Sequence, residues 1–342
     1  MKKIITSITV ILIFVACASA QTPLINDVLD ELAFTELQMG AVSIDMHLWF
    51  GWFDDDKDGM KGASLKAITD LEGIKKDIQN LNLPENIKSL KGQLLEAVNR
   101  LQAVYKDVEN IKPEKLKEEF ASFNEFYEKY SAEVKSARKQ YRPVVNLSES
   151  FDSSLEEIKS ATNDKDKDIY IKATLLMKGK KYAEAYELLS SLKQKYRNTT
   201  FESCILLRMS DCTNMTDSDM KQDADKAEDG LKILSKIVSA NKYSPVLFEA
   251  FYKWRTTEQE FSHGMSNMSG IPNTEYNKKR WELVQIVKKY LAENSNDIWA
   301  QKQKAQLLTL PNIERGGPAG NDNLVHWGLL YADFGEKTEK NN

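Results

Sequence analysis

The stretch at residues 113–141 places the strongest restriction on what this chain can fold into. Its apolar residues recur at gaps that alternate four and three without interruption. These residues are Leu116, Phe120, Phe123, Tyr127, Tyr130, Val134, Ala137 and Tyr141. Such gaps place every apolar side chain on one face of an α-helix, in the heptad pattern of packed helices. A β-strand would instead need alternation every second residue, so the stretch predicts a long amphipathic helix.

The same periodicity runs through the front half of the chain. It predicts three further helices, at about residues 26–50, 64–80 and 84–108. Only 8 prolines and 15 glycines interrupt the 342 residues, and no convincing series of strand-like alternation appears. The sequence therefore predicts an all-α protein. Four amphipathic helices with short loops are typical of an antiparallel bundle, which we place at residues 21–145, before a linker at 146–165.

A helical hairpin is predicted between residues 166 and 197. The small residues Ala173 and Ala185 allow two helices to approach closely, and Gly179 permits the turn between them. Tyr182 follows the turn and fills the space beside the pair. This order of small residues, glycine and aromatic residue resembles a tetratricopeptide (TPR) repeat. The tryptophan and the Leu-Gly pair of that family's first helix are missing, and Arg197 replaces the proline usual at its end.

The resemblance implies more degenerate helix pairs across residues 166–334, arranged like an α-solenoid, and leaves a polar tail at 335–342. The helices predicted after the hairpin lie at about residues 201–208, 226–239, 244–260, 276–293, 297–308 and 324–334. Stacked helix pairs of this family form a groove. The resemblance therefore implies a protein or peptide partner.

Residues 1–20 have the features of a secretion signal. Lys2 and Lys3 precede an apolar run that is too short to span a bilayer, and Ala18-Ser19-Ala20 forms a small-residue cleavage site. We therefore expect a periplasmic or secreted protein. Cys17 leaves an alternative open, in which the chain is processed as a lipoprotein and tethered to a membrane. No later stretch is apolar enough to be transmembrane.

An acidic segment between the first two predicted helices is the one candidate metal site. Asp54, Asp56 and Asp58 occupy positions one, three and five of a calcium loop, and Gly59 stands where such a loop turns sharply. The twelfth position is Leu65 instead of the bidentate glutamate of an EF-hand, so a calcium ion would need ligands from elsewhere. The alternative is an acidic turn that caps the next helix.

Cys204 and Cys212 remain after removal of the leader, and their pairing depends on one helix end. On an unbroken helix, eight residues span about 12 Å, which is too far for a disulfide. If the helix ends near residue 210, the chain can fold back and join the two thiols. The sequence leaves both arrangements open, in a compartment that permits disulfides.

The sequence contains no nucleophile elbow, phosphate-binding loop or HExxH motif. We therefore expect a non-enzymatic protein without catalytic residues and without a cofactor other than the possible calcium ion. Loss of Lys2 and Lys3 changes the formal charge from −4 to −6, which argues against general nucleic-acid binding. The main hypothesis is an exported binding or scaffold protein whose helical-repeat groove takes a protein or peptide. The alternative is a periplasmic protein that binds calcium or a small ligand and assists solute uptake.

Overall fold

A computed structural model describes residues 28–46, 57–107, 153–214, 224–265 and 271–312, with scattered positions between 118 and 137. The fold is all-α, as the sequence predicts, and the described residues contain no β-strand. None of the described helices combines the length and the apolarity that crossing a bilayer requires. The predicted leader at 1–20 and the predicted last helix at 324–334 lie outside the described residues.

The chain divides into two compact units. Unit 1 comprises Met1–Val144 together with Leu308–Asn342, and unit 2 comprises Val145–Leu307. The return of the chain to unit 1 is visible just after residue 308, where the Asn312 side-chain amide donates a hydrogen bond to the Leu37 carbonyl oxygen at 3.1 Å. Unit 2 therefore ends before residue 334, where the sequence analysis places the end of the repeat domain.

Unit 1 contains four helices in the described residues. Helix α1 covers residues 28–46, α2 covers Lys57–Asn80, α3 covers Ser89–Lys106 after a single 3-10 turn at Glu85–Ile87, and α4 includes the described helical positions between 118 and 137. Helix α2 begins seven residues before its predicted start. The residue of that predicted start, Ser64, is buried inside the helix, and its hydroxyl donates to the Tyr105 carbonyl oxygen of α3 at 2.5 Å.

Contacts between side chains connect these four helices. The Tyr130 hydroxyl of α4 donates to the Glu36 carboxylate of α1, and both residues are fully buried. Ser89 of α3 donates to Glu133 of α4 at 2.9 Å. Three residues of the heptad pattern in α4 are buried, namely Tyr130, Val134 and Ala137. The apolar face of α4 is therefore a packed face at these positions, while the antiparallel bundle stays a prediction.

Unit 2 contains eight helices in the described residues. They are α5 (Ser153–Lys159), α6 (Asp164–Lys178), α7 (Tyr182–Lys195), α8 (Thr200–Asn214), α9 (Ala224–Val238), α10 (Leu247–Met265), α11 (Asn273–Glu293) and α12 (Ile298–Thr309), the last of which crosses into unit 1. From α6 to α10, each helix packs mainly against the next one along the chain. Helix α8 also touches α5 and α6.

The α6–α7 turn has a different geometry from the one expected for its glycine. Gly179 has an ordinary φ of −83°, and the left-handed residue is Lys180, with a φ of 59°. The turn closes through backbone hydrogen bonds from Lys180 to Met177 at 2.9 Å and from Lys181 to Leu176 at 2.9 Å. Gly179 is therefore not needed for a left-handed backbone at its own position.

Two tyrosines provide the large buried side chains of this hairpin. Tyr170 of α6 and Tyr196, just after α7, are buried, and both rings lie about Phe201 of α8 with centroid distances of 5.0 and 4.8 Å. The predicted aromatic residue, Tyr182, is only partly buried. Tyr196 also donates to the buried carboxylate of Asp166 at 2.6 Å, which ties the end of α7 to the start of α6.

Candidate functional site

A group of charged side chains lies where α5, α6, α8 and α10 approach one another. We call it the Arg208 cluster, and it consists of Glu157, Tyr170, Arg208, Asp211, Glu249 and Lys253. Three carboxylates face two cations, so one negative charge is in excess. Its ion pairs connect α5, α8 and α10.

The inner part of the cluster is built on Glu157. This carboxylate is 1% exposed and accepts two hydrogen bonds from the Arg208 guanidinium, one of them from Nε at 3.1 Å. It also accepts a hydrogen bond from the Tyr170 hydroxyl. A bidentate pair of this kind has a fixed orientation as well as charge. Glu157 therefore fixes the orientation of the planar Arg208 guanidinium.

The outer part of the cluster joins α8 to α10. Arg208 Nη1 donates to Asp211 at 2.8 Å and to Glu249 at 3.0 Å. Lys253 Nζ donates to Asp211 at 2.5 Å and lies 2.9 Å from Glu249. The two cations and the two carboxylates alternate in space, so each charge has an opposite charge beside it.

The electrostatics of the cluster favour the charged forms of these groups. Burial lowers the pKa of Arg208, but the hydrogen bond and the charge of Glu157 outweigh it and hold that pKa above its ordinary value. Burial raises the pKa of Glu249, yet the charges of Arg208 and Lys253 and their hydrogen bonds bring it below its ordinary value. Burial and the charge of Glu157 raise the pKa of Tyr170, which therefore keeps its proton.

One side of the cluster is open to solvent. The side chains of Glu249 and Lys253 are 32% and 29% exposed, whereas Arg208 is 14% exposed. Tyr252 lies between them on α10, is 44% exposed, and packs its ring against Phe248. A charged rim with an exposed aromatic ring is suited to the binding of a polar partner.

The predicted calcium ligands are only partly within the described residues. Asp54 and Asp56 lie outside them, and Asp58 is an exposed residue in the first turn of α2. Gly59, where the calcium loop requires a sharp turn, is helical instead. This position agrees with the alternative of an acidic helix start, while calcium binding by these three residues stays a prediction.

The two cysteines of unit 2 are free thiols, so the disulfide considered from the sequence is not formed. Helix α8 continues unbroken to Asn214, which separates Cys204 and Cys212 by about 12 Å along its axis. Burial raises the pKa of the Cys204 thiol, and it raises that of the Cys212 thiol to about 11. Neither thiol has the exposure and low pKa of a reactive cysteine.

Sequence reasoning missed the Arg208 cluster as a whole. Glu157 and Arg208 are 51 residues apart, and Arg208 and Glu249 are 41 apart, so no local pattern joins them. Two parts had a local signal, since Arg208 with Asp211 and Glu249 with Lys253 are opposite charges at helical spacing.

Comparisons of the chain with protein-family models, with curated proteins and with solved structures found no match.

Proposed function

We propose that this protein is an exported, non-enzymatic binding or scaffold protein that uses a helical-repeat groove for a protein or peptide partner. The observation that carries the proposal is the open, charged rim on α10, formed by Glu249, Tyr252 and Lys253. The signal-like residues 1–20 support export.

The packing of unit 2 supports a repeat arrangement. In a helical repeat, each helix packs against its sequence neighbours, and alternate helices touch along the groove. Helices α6 to α10 pack in that sequential way, and α6 and α8 touch each other. The Arg208 cluster draws on α6, α8 and α10, which are the alternate helices of this series.

The composition of the rim indicates the chemistry of the partner. Because carboxylates outnumber cations in the cluster, a basic side chain of the partner gains more here than an acidic one. The Tyr252 ring offers an apolar anchor beside these charges, and aromatic anchors of this kind carry a large part of the binding energy at interfaces. We therefore favour a basic segment with an adjacent apolar residue.

A capture experiment with matched variants tests the proposal. The protein is immobilised and exposed to the envelope fraction of its source, and retained proteins are identified by mass spectrometry. Tyr252→Ala is compared with Tyr186→Ala, which removes a similarly exposed tyrosine, 36% exposed, from α7. We expect one retained protein whose yield falls at least about tenfold with Tyr252→Ala and is unchanged with Tyr186→Ala. Failure to retain any protein, or equal retention of the partner by both variants, would contradict the proposal that the groove binds a partner.

A further inference from the structure

A second buried arginine of unit 2, Arg280 on α11, has surroundings that the proposed groove does not explain. Its side chain is fully buried, at 0% exposure. None of its three guanidinium nitrogens has a hydrogen-bond partner among the residues that the structure describes. An unpaired cation in the interior costs several kcal/mol, so buried arginines are normally paired.

The charge that acts on the pKa of Arg280 has the same sign as Arg280 itself. Arg255 of α10 is 5% exposed, and its positive charge adds to the effect of burial, so the pKa of Arg280 falls to about 9. At neutral pH both guanidinium groups still carry a proton. The positive charge of Arg255 therefore acts on a second buried positive charge, and no carboxylate in the described residues offsets the charge of Arg280.

The buried stripe of α11 changes character along its length. Its C-terminal half is apolar, with Leu283, Val284 and Val287 at 0% exposure. Its N-terminal half is polar but equally buried, and the residues on it are Asn273, Thr274, Asn277 and Arg280. A helical side chain leans toward the N-terminus of its own helix, so the Arg280 guanidinium lies over this polar half.

Two aromatic residues contact each other between α10 and the polar half of α11. Trp254 of α10 contacts Tyr276 of α11 edge to face at 5.5 Å, and the Tyr276 hydroxyl donates to Glu258. The hydroxyl of Tyr276 is thus directed at α10. Side chains of this kind exclude water and lower the local dielectric, which strengthens any charge-charge interaction formed beside them.

We propose that Arg280 and Arg255 form a binding site for a small oxyanion, such as a phosphate, sulfate or carboxylate group, between α10 and α11. An oxyanion accepts several N–H donors at once and matches the planar fork of a guanidinium. It supplies the negative charge that Arg280 lacks. Of the two arginines, Arg255 is the one that retains slight exposure, at 5%.

Thermal unfolding with defined anions tests the site. The purified protein is heated with millimolar sodium phosphate, sulfate or acetate, at an ionic strength matched with sodium chloride. We expect at least one oxyanion to raise Tm by about 3 to 6 °C at ten times its Kd. A rise with phosphate or sulfate identifies a tetrahedral anion, and a rise with acetate alone identifies a carboxylate. No rise with any of the three overturns the proposal.

Matched variants connect that rise to the two arginines. Arg280→Met and Arg255→Met each remove one guanidinium, and Arg197→Met removes an exposed one after α7. We expect both buried variants to lose the Tm rise and Arg197→Met to keep it. Arg280→Lys keeps the charge without the fork and is expected to show a smaller rise. If Arg280→Met retains the full rise, the site is elsewhere and the proposal fails. Loss of partner capture by Tyr252→Ala is a separate result, because the anion-dependent rise in Tm is measured with the purified protein and no partner.

Discussion

Arg208 and Arg280 are both buried cations of unit 2, but their surroundings are opposite. Arg208 pairs with Glu157, Asp211 and Glu249, which lie on three different helices. Arg280 has no hydrogen-bond partner in the described residues, and the charge acting on it is that of another arginine. The difference shows that burial alone does not define the role of a charged residue. The first charge is balanced within the chain, and the second calls for a group from outside it.

The largest effect is expected from removal of the balanced cation. Arg208→Met leaves Glu157 buried without its cationic partner and leaves Asp211 with Lys253 alone. We expect the free energy of unfolding to fall by about 3–5 kcal/mol, since breaking a buried pair leaves an uncompensated charge. Urea unfolding followed by circular dichroism measures it. The exposed Arg197→Met serves as the control and should change the value by less than about 0.5 kcal/mol. A similar small change for Arg208→Met would show that the cluster is solvated.

For removal of Arg280, the unbalanced cation, we expect a change of opposite sign in the free energy of unfolding. In buffer without oxyanions, Arg280→Met should raise the free energy of unfolding by about 1–3 kcal/mol, because a neutral side chain of similar length removes the cost of burying a charge. The same urea experiment measures it. When the oxyanion that raises Tm is present, the difference in the free energy of unfolding between the wild-type protein and Arg280→Met should become smaller. A loss of stability on this substitution would mean that Arg280 has a partner within the chain.

Acid should affect the balanced cluster. The pKa of Glu249 in the folded protein lies below its ordinary value of 4.5, so the folded state binds fewer protons than the unfolded state. Its contribution is present above pH 4.5 and disappears as the pH falls through the folded pKa. Urea unfolding at a series of pH values from 6 downward should show this loss. Arg208→Met should flatten the slope, because it removes a charge that lowers the pKa of Glu249. An unchanged dependence of the free energy of unfolding on pH would show that Arg208 does not lower the pKa of Glu249.

The smallest effects are expected in the α6–α7 turn, which sets the scale for changes without buried charge. Gly179→Ala should raise the free energy of unfolding by up to about 0.5 kcal/mol, since an added Cβ lies no closer than 3.4 Å to another atom and φ is ordinary. Lys180→Gly should raise it by about 0.5–1 kcal/mol, because it relieves a left-handed lysine. Thermal unfolding resolves both changes. A cost above about 1 kcal/mol for Gly179→Ala would restore the glycine to the role first expected for it.

The helical class was predictable because the apolar periodicity is strong and local. For the same reason, the predicted first and last residues of the α6–α7 hairpin lie within two residues of the observed ones. The C-terminal end of α8 was not predicted, because the last turn of this helix is polar and its composition is typical of a loop. In the structure, Asp211 continues the helix while paired with Arg208 and Lys253. These partners come partly from a helix about forty residues away, which local composition does not contain.

The two arginines escaped prediction for a related reason. Apolar patterns identify which helix face is buried, but they pass over buried polar residues on that face. The sequence predicts helix α11 at about residues 276–293, but it does not identify the buried polar residues of this helix, including Arg280. Likewise, nothing in the sequence near Glu157 indicates that its carboxylate accepts hydrogen bonds from Arg208. The pairing of charges on separate helices is decided by tertiary packing.

The bond from Asn312 to Leu37 has a consequence for the order in which the molecule is assembled. Unit 1 is discontinuous in sequence, with unit 2 inserted between its two parts. As the chain is synthesised, the residues of unit 2 are all present before the segment from Leu308 that completes unit 1. The N-terminal helices of unit 1 are therefore synthesised before the segment that completes their unit. A truncation after Leu307 would remove part of unit 1 while leaving unit 2 whole.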